Sequence, residues 1–568
     1  MEKISALLSL KILSAATTCL CWLFLSWGCS GQASIQAELA IINGKIWTVD
    51  NDVPLAEAVA VWKGKILKVG SNKEIQKLTG PKTEVINVEG RLVLPGFCDS
   101  HTHFVDGGFH LMGVKLKDAE SPEEFGRLLA EKSKELPQGA LITGGNWDHD
   151  KWPGGNLPTA ELIDRYVPDR PVLVSRYDGH MSVANSLALK MAGITAQTPD
   201  PPGGIIVRDP QTREPTGVLR ETAARLVSRI IPPPQREEIK KAIQKSLEHA
   251  REHGITSIHQ VDMTPTDLEI YQELLGKGEL TSRIYGFIAI DQCHRLIELG
   301  IHRNFNNKNW IAVGGVKAFL DGSLGSSTAL FFEPYDQDPS SSGIFVVNPD
   351  ELKKQMMEAD KAGLQLAVHS IGDRANSALL DMFEHIIKEN GPRDRRLRIE
   401  HAQHLQSADF QRFNKLNVIA SVQPYHAIDD ARFAEKRIGL KRCETTYAFH
   451  SFLENDVIMA FGSDWTVAPL DVLWGIYAAV TRKPLDGSHP EGWFPEQKIS
   501  VEQAIRAYTY NPAYASFQED IKGTISSGKL ADIVVLSRDI LTISPEEIKE
   551  TEILYTITNG QIVYKKDL

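Results

Sequence analysis

The stretch LVLPGFCDSHTH, from Leu92 to His103, joins an apolar run typical of a β-strand to two histidines that lie two residues apart. Because alternate residues of a strand point to the same side, His101 and His103 can hold one cation together. Two buried structural histidines would give the same pattern, so the pair alone does not establish a metal site. The pair therefore needs support from other parts of the chain.

Four later apolar runs, each typical of a strand, also end at residues with metal-binding chemistry. These residues are Lys317, His369, His401 and Asp464. A closed barrel of parallel strands brings its strand ends to one rim, where ligands far apart in sequence can meet. Imidazole nitrogens with one carboxylate suit zinc, and iron, manganese or cobalt are alternatives. The ordered recurrence favours a metal site over a pair of core histidines.

Strands and helices alternate between these residues, which predicts an α/β fold, a (β/α)8 TIM-type barrel. Three further strand patterns, at 255–258, 283–288 and 418–422, complete the eight strands that such a barrel requires. The connection after the first strand is too long for one helix. We therefore expect a large insertion after strand 1, at 104–235, which has its own secondary structure and covers the barrel mouth as a lid.

The two ends of the chain have a different pattern from the middle. Short β-rich runs around Asn43-Gly44 and Lys63-Gly64 indicate hairpins, and the last fifty residues have the same character. Neither end has enough strands to form a stable sheet alone. We expect 35–95 and 516–568 to build one small composite β-sandwich, next to a hydrolase barrel at 96–515 that includes the lid.

The N-terminus, 1–29, has Lys3 followed by a mostly apolar run, as in a secretory signal peptide. Gly28-Cys29 resembles a bacterial lipoprotein processing site, in which Cys29 becomes the lipidated first residue. A plain cleaved signal and an uncleaved anchor are the alternatives. We expect an exported protein that is periplasmic, attached to the membrane through its N-terminus as a lipoprotein, or secreted.

The composition limits the choice of partners. The formal net charge of −11 argues against nucleic acid, because phosphate binding requires clustered Lys and Arg. A neutral or cationic small molecule fits better. Beyond the leader, Cys98, Cys293 and Cys443 are scattered and odd in number, so no disulfide framework is predicted. The sequence leaves the oligomeric state open, including a homodimer.

Lys317 is the unusual member of the metal-binding set, because an ammonium group repels cations and is costly to bury. Burial and a nearby metal both favour the neutral amine, which can add carbon dioxide and become a carbamate. The two oxygens of a carbamate can bridge two ions. The expected cofactors are therefore two divalent metal ions, with zinc favoured, and a CO2-derived carbamate on Lys317. An exposed or salt-bridged lysine is the alternative.

The ligand order resembles that of the binuclear amidohydrolase superfamily, and the surrounding motifs resemble its branch amidohydrolase family 3, the formamide deformylase-like metal-dependent hydrolases. The resemblance covers nearly the whole chain after the leader. Its motifs are LPGFCDSHTH at 94–103, WD at 147–148, WP at 152–153, DGH at 178–180, DGSLGS at 321–326, HSIGD at 369–373, EHAQ at 400–403, GSD at 462–464 and GKLADIVV at 528–535. One departure is Ser327, where the family usually has Arg, so an ionic contact made by that Arg must be absent or supplied elsewhere.

The resemblance implies a role for each member of the set. His101, His103 and Asp464 would hold one metal ion, His369 and His401 the other, and carbamylated Lys317 would lie between them. A water shared by both ions would attack a carbonyl, while Asp464 accepts a proton and passes it to the departing nitrogen. The implied reaction is hydrolysis of a non-peptide carbon–nitrogen bond in a small-molecule amide, either a linear amide or an N-acyl or N-formyl compound.

Three further residues are candidates for the site. His180 is a candidate catalytic residue that contacts the oxyanion or the substrate from the lid, and a structural histidine in a turn is the alternative. Trp147 is a candidate substrate-binding residue, although core packing is common for tryptophan. Asp321 is another, and it can instead orient a metal ligand or cap the helix that follows.

Two other functions remain open at this point. A one-metal deaminase on the same fold would carry Glu three residues after His369, where this chain has Gly372, and it would leave Lys317 unexplained. The second alternative is an exported binding protein that has lost catalysis. No ligand position of the family pattern is replaced in this chain, so the hydrolase is the principal prediction.

Overall fold

The computed structural model describes residues 35–136, 139–231, 233–301 and 309–567. The predicted leader at 1–29, with Cys29, lies outside these residues. Within the described ranges, no helix combines the length and the apolar character needed to cross a bilayer.

Eight parallel strands form the central barrel, as predicted. They are β1 (Phe97–Thr102), β2 (Ile255–Gln260), β3 (Arg283–Ala289), β4 (Ile311–Phe319), β5 (Gln365–Ser370), β6 (Arg398–His401), β7 (Ile419–Val422) and β8 (Met459–Phe461). Each strand pairs with its neighbours in chain order. The barrel closes just beyond β8, where Trp465 bridges in parallel to Thr102 and the Asp464 N–H donates to the His101 carbonyl at 2.8 Å.

Side-chain alternation decides which residues face the barrel interior. In β4, Val316 and Ala318 belong to the large apolar cluster that also contains the helix residues Met356 and Leu379. Lys317 lies between the two and therefore projects to the opposite side, into the barrel. Strand β4 continues to Phe319, two residues further than the sequence pattern indicated.

Helices surround the strands and begin at polar residues that cap them. Thr264 forms a capping box with Asp267 at the start of Pro265–Lys277, and Gly278 ends this helix in the left-handed conformation. The helices of the barrel are Phe104–Met112, Arg236–Glu252, Pro265–Lys277, Cys293–Glu298, Pro349–Lys361, Asp373–Asn390, Asp409–Lys415, Pro424–Asp430, Ala434–Ile438, Leu440–Cys443, Phe449–Glu454, Val472–Thr481, Val501–Ala507 and Tyr510–Ala515.

The segment between β1 and β2 has its own sheet and its own core. The six strands of this sheet are, in spatial order, Gly204–Arg208, Pro215–Glu221, Met181–Ala184, Leu173–Arg176, Gly144–Trp147 and Val114–Lys115. Its helices are Pro122–Glu135, Ala160–Tyr166, Ser186–Met191 and Arg225–Ser228. Phe125, Leu129 and Trp147 are buried in a cluster separate from that of the barrel. We refer to this segment as the lid.

The N- and C-terminal segments pair with each other. Strand Leu92–Pro95 lies antiparallel to Ile533–Leu536, within a six-stranded sheet that also contains Lys45–Trp47, Leu55–Ala56, Ile553–Thr558 and Gln561–Lys565. A second, four-stranded sheet contains Leu39–Ile42, Ala58–Trp62, Lys65–Gly70 and Glu84–Asn87. Helix Asn72–Gln76 follows the third of these strands. A buried ion pair between Arg283 and Asp532, 2.7 Å apart, connects this region to β3. The domain boundaries chosen from the sequence stay predictions.

Candidate metal centre

Residues predicted as metal ligands converge at the carboxyl-terminal rim of the barrel. Asp464 Oδ1 lies 3.5 Å from His101 Nε2 and 3.4 Å from His103 Nε2. The other carboxylate oxygen, Oδ2, lies 3.8 Å from His401 Nδ1. His101, His401 and Asp464 offer ligand atoms that all lie within 4.8 Å of one another. Histidines from both predicted metal positions therefore surround one carboxylate.

His369 and Lys317 complete this group. The ring of His369 is 4.5 Å from that of His401, measured between centroids, and 5.2 Å from that of Phe319. Lys317 is only 3% exposed, and its Nζ lies 4.3 Å from the Phe319 ring centroid. The structure thus gathers all six predicted ligands at the same rim.

Each of the four histidines directs one ring nitrogen to an oxygen acceptor. The pairs are His101 Nδ1 with Glu400 Oε2, His103 Nδ1 with Asp262 Oδ2 at 2.8 Å, His401 Nδ1 with Gln423 Oε1 at 2.8 Å, and His369 Nε2 with the Gly322 carbonyl at 3.2 Å. Such a bond fixes the tautomer and the ring orientation, and it leaves the other nitrogen free to bind a metal. This arrangement is typical of metal-binding histidines.

Buried polar atoms without partners test whether a metal fits. Among the described residues, His101 Nε2, Lys317 Nζ and Asp464 Oδ1 are buried and accept or donate no hydrogen bond. Buried polar groups are nearly always paired, because an unpaired one loses its hydration without replacement. Imidazole, carboxylate and a modified lysine are ligands that suit divalent transition metals. The donor set therefore fits a metal centre.

Burial and neighbouring charges set the protonation of these groups. Burial lowers the pKa of Lys317, and it holds the pKa of His369 and of His401 well below the ordinary histidine value. Burial alone would raise the pKa of Asp464, but the neighbouring His101 and His103 lower it well below its usual range. The site thus favours neutral imidazoles at His369 and His401 and an ionised carboxylate at Asp464. His103 differs, because burial alone would lower its pKa but Asp262 and Asp464 raise it to about 10.

The predicted catalytic residue His180 reaches this rim from the lid. Its ring centroid is 5.0 Å from that of His369, and its Nδ1 lies 3.0 Å from Glu221 Oε2. Burial would lower the pKa of His180, but the carboxylates of Glu221 and Asp178 raise it to about 9. His180, His369, His401 and Asp464 line the same cavity. The lid histidine and the candidate metal ligands therefore share one cavity.

The two candidate substrate-binding residues do not line this cavity, although Asp321 Oδ1 lies 3.8 Å from His369 Nε2. Trp147 is fully buried in the lid core, where its indole N–H donates to the Val174 carbonyl at 2.9 Å. Asp321 is also fully buried, and it accepts backbone N–H groups from Leu330, Ile371 and Gly372 at 2.8 to 2.9 Å. These contacts occupy the polar atoms of both side chains. Neither side chain is therefore available to bind a substrate in the cavity.

Ser327, the departure from the family pattern, has a guanidinium beside it. Arg437 Nη1 donates to Ser327 Oγ at 3.0 Å, and Arg437 Nη2 lies 3.3 Å from Asp150 Oδ1 in the lid. Arg437 belongs to helix Ala434–Ile438, far from Ser327 in sequence. A cation at this place is therefore supplied from another part of the chain.

Sequence reasoning missed several residues of the cavity and its support. They are Glu221, His426, Gln403, Asp430, Glu400 and Gln423. Glu400 had a usable signal, because a charged residue two positions after Arg398 in a short barrel strand predicts an interior ion pair. The pair is present, with Arg398 Nε 2.7 Å from Glu400 Oε1. Gln403 belongs to the EHAQ motif, whereas no local pattern marked Glu221, His426, Asp430 or Gln423.

Comparisons with known proteins give consistent matches over most of the chain. The profile of the Amidohydrolase family matches residues 84–564. The chain is 39% identical over 543 residues to Protein LONG AFTER FAR-RED 3 of Arabidopsis thaliana, covering 94% of this chain and 92% of that protein. It is 28% identical to N-substituted formamide deformylase of Arthrobacter pascens, covering 93% and 98%. The crystal structure of an uncharacterized metal-dependent hydrolase from Pyrococcus furiosus superposes with a TM-score of 0.70 at 29% identity, covering 89% and 100%.

Proposed function

The chain belongs to the amidohydrolase family and is a metal-dependent hydrolase, and on this premise we propose that it cleaves the non-peptide carbon–nitrogen bond of a small linear amide. An N-acyl or N-formyl compound is the favoured substrate class. N-substituted formamide deformylase, similar over nearly its whole length, supports this class.

The main support for the proposal is that four histidines converge on Asp464 and Lys317, and that each of them is held by a hydrogen bond to an oxygen acceptor. In the proposed centre, His101, His103 and Asp464 would hold one zinc ion, His369 and His401 would hold the other, and Lys317, as a carbamate, would supply a further anionic ligand. Bound divalent ions supply Lewis acidity and lower the pKa of water. The buried atoms His101 Nε2, Lys317 Nζ and Asp464 Oδ1, which have no hydrogen-bond partner among the described residues, support metal binding at this place.

The protein's own groups then orient the substrate and move the proton. The ionised Asp464 carboxylate accepts a proton at the oxygen that is not used to hold the metal, and it returns this proton to the departing nitrogen. His180 contacts the bound amide from the lid side of the cavity. The Glu221 contact at Nδ1 leaves His180 Nε2 as the nitrogen available to the substrate.

Lys317 has the environment that carbamate formation requires. Its burial lowers the pKa of the amine, which increases the neutral fraction that can react with CO2. Addition of CO2 to the neutral amine, with loss of one proton, gives a carbamate that carries a negative charge beside the proposed cations. This change removes the electrostatic conflict of a lysine in a metal centre.

The mononuclear deaminase is disfavoured by the structure around Gly372. A Cβ atom built on Gly372 would lie 2.1 Å from the Leu330 carbonyl oxygen, and the Gly372 N–H already donates to Asp321 Oδ2 at 2.8 Å. A glutamate at this position would need the backbone to move. The local structure therefore supports the dinuclear hydrolase rather than the deaminase.

Metal-reconstituted protein supplied with bicarbonate tests this function. We expect about two metal ions per chain and release of a carboxylic acid and an amine from N-formyl or N-acyl amides, with cyclic amides as a comparison. A carbamate carbon detected by NMR after loading with 13C-bicarbonate supports the role of Lys317. One metal per chain, ammonia release from aromatic amines and full activity of Lys317→Ala would contradict the proposal.

Export is a separate proposal, based on the sequence of 1–29. We propose that this leader is removed during export, with lipidation of Cys29 as the favoured processing route. Mass spectrometry of the N-terminal peptide from membrane and soluble fractions distinguishes a lipidated Cys29 from a plain cleaved terminus. An intact Met1 peptide in the mature protein would contradict cleavage.

A further inference from the structure

One carboxylate in the lid, that of Glu221, joins the candidate catalytic histidine to the barrel. Glu221 ends the lid strand Pro215–Glu221, which pairs with the strand that starts just after His180. Its Oε2 lies 3.0 Å from His180 Nδ1, and its backbone N–H donates to the His180 carbonyl at 2.9 Å. The two residues are therefore linked through both side chain and backbone.

The other oxygen of Glu221 is held by the barrel. Thr328 Oγ1 donates to Glu221 Oε1 at 2.5 Å, and Ser326 Oγ lies 3.3 Å from the same oxygen. Ser323 Oγ contacts Ser326 Oγ at 2.8 Å and donates to Asp178 Oδ2 at 2.7 Å. These hydroxyl groups belong to the loop 321–328, which follows β4. Thr328 and Ser326 thus hold the carboxylate that contacts His180, and Ser323 supports Ser326.

The unusual backbone conformation of Glu221 indicates that this arrangement has a functional role. Its φ of 50° and ψ of −129° lie outside the regions that residues with a Cβ usually adopt. Such a conformation persists only where surrounding contacts hold it, and strained residues of this kind cluster at functional sites. Here the contacts that hold it are those to His180 and to Thr328.

We propose that Glu221 is a positioning residue that orients His180 toward the bound amide, and that the hydroxyl groups of loop 321–328 hold Glu221 in place. An imidazole ring attached only through its Cβ can rotate, whereas a hydrogen bond at Nδ1 fixes the ring plane. His180 Nε2 then keeps a constant position in the cavity. This inference rests on the proposed amide hydrolysis. It adds Glu221 as the residue that orients the lid histidine for contact with the substrate.

A double-mutant cycle separates positioning from a merely structural role. The variants are Glu221→Ala, Glu221→Gln, His180→Ala and the double variant with both alanines. Glu214→Ala is the control, because Glu214 is an exposed glutamate of the same hairpin. In wild-type background, we expect Glu221→Ala to lower kcat about 10-fold to 100-fold, as removal of a residue that orients an active-site histidine does. Glu221→Gln retains more activity, because its amide oxygen still accepts from Nδ1–H.

In the His180→Ala background, the same Glu221→Ala change has little further effect on kcat, because the group that it positions is gone. Metal content stays equal in all variants. Independent, additive losses from the two changes would show that Glu221 acts only on lid structure, and unchanged kcat in Glu221→Ala would exclude positioning.

A second readout does not depend on turnover. In protein labelled with [15N]histidine, the His180 signal, assigned from its loss in His180→Gln, should show a hydrogen-bonded Nδ1–H that exchanges slowly with solvent in wild type and is lost in Glu221→Ala. An unaffected Nδ1–H signal overturns the inference even if amides are cleaved. A wild-type protein that cleaves no amide but shows the Glu221-dependent Nδ1–H signal contradicts the proposed function and supports the His180–Glu221 pair.

Discussion

His101 Nδ1 donates a hydrogen bond to Glu400 Oε2, although the two residues are 299 positions apart in the chain. Arg398 contacts the same carboxylate through Nε at 2.7 Å and Nη2 at 3.0 Å. All three side chains are fully buried. The barrel interior therefore fixes the orientation of His101 through an ion pair that lies beneath the candidate metal centre.

Replacing Glu400 tests this connection. We expect Glu400→Gln to weaken metal binding about 10-fold to 100-fold, because the change removes the charge that orients His101 and neutralises Arg398. Thermal stability should also fall, since the Arg398 guanidinium becomes a buried charge without its counterion. Metal titration followed by calorimetry measures the metal affinity, and thermal unfolding followed by calorimetry measures the stability. Glu389→Gln, at an exposed position of helix Asp373–Asn390, is the matched control. Wild-type metal affinity in Glu400→Gln would contradict the role of the pair.

Lys317 supplies a second prediction. Lys317→Ala should bind fewer metal ions per chain than wild type, because no anionic group then lies between the two proposed ions. Lys317→Glu should recover part of the second metal, since a carboxylate replaces the carbamate at a shorter reach. Elemental analysis of protein dialysed against zinc gives the stoichiometry. Two tightly held ions in Lys317→Ala would show that the lysine is not a ligand.

Parts of the site that depend on local sequence patterns can be predicted, whereas contacts between residues far apart in the sequence cannot. The ligand histidines and Asp464 lie at or just beyond the carboxyl ends of strands, so local periodicity and the barrel topology locate them at one rim. The partner of His101 cannot be read from local sequence, because closure of the whole barrel sets the contact with Glu400. Trp147 shows the same limit, since its motif matches the family while its indole N–H bonds to Val174 inside the lid.

Gly372 provides a test of packing around the loop that supports His369. Gly372→Ala should lower the free energy of unfolding by about 1 to 3 kcal/mol, because the added Cβ would lie 2.1 Å from the Leu330 carbonyl. The φ of −71° at Gly372 is acceptable for alanine, so the cost is steric. Gly276→Ala is the control, since no heavy atom lies within 4 Å of the new Cβ in helix Pro265–Lys277. That change should raise stability by about 0.5 to 1 kcal/mol. Denaturant unfolding compares the two, and equal effects would contradict the packing argument.

Two arginines hold the lid against the barrel. Arg432 Nη2 lies 3.0 Å from Asp148 Oδ2, and Arg437 Nη2 lies 3.3 Å from Asp150 Oδ1. We expect Arg432→Met to speed hydrogen exchange of the lid strand Gly144–Trp147, because the buried Asp148 carboxylate loses a charged partner. Exchange in β5 should stay unchanged. Arg127→Met, which removes an exposed i,i+4 pair with Glu131, should leave both regions unaffected. Equal exchange in wild type and Arg432→Met would rule out this contact as a lid restraint.

His426 gives the sharpest test of substrate recognition, because it lines the cavity and is only 8% exposed. Its Nε2 is buried and has no hydrogen-bond partner among the described residues, which leaves this atom free to bind a polar group of the substrate. We expect His426→Phe to lower kcat/KM about 3-fold to 10-fold, the effect of one hydrogen bond, for amides that carry a polar substituent. Amides of similar size without that substituent should be cleaved as by wild type. An equal loss on both kinds of amide would mean that His426 supports the cavity wall, since a packing defect does not discriminate between substrates by a single polar group.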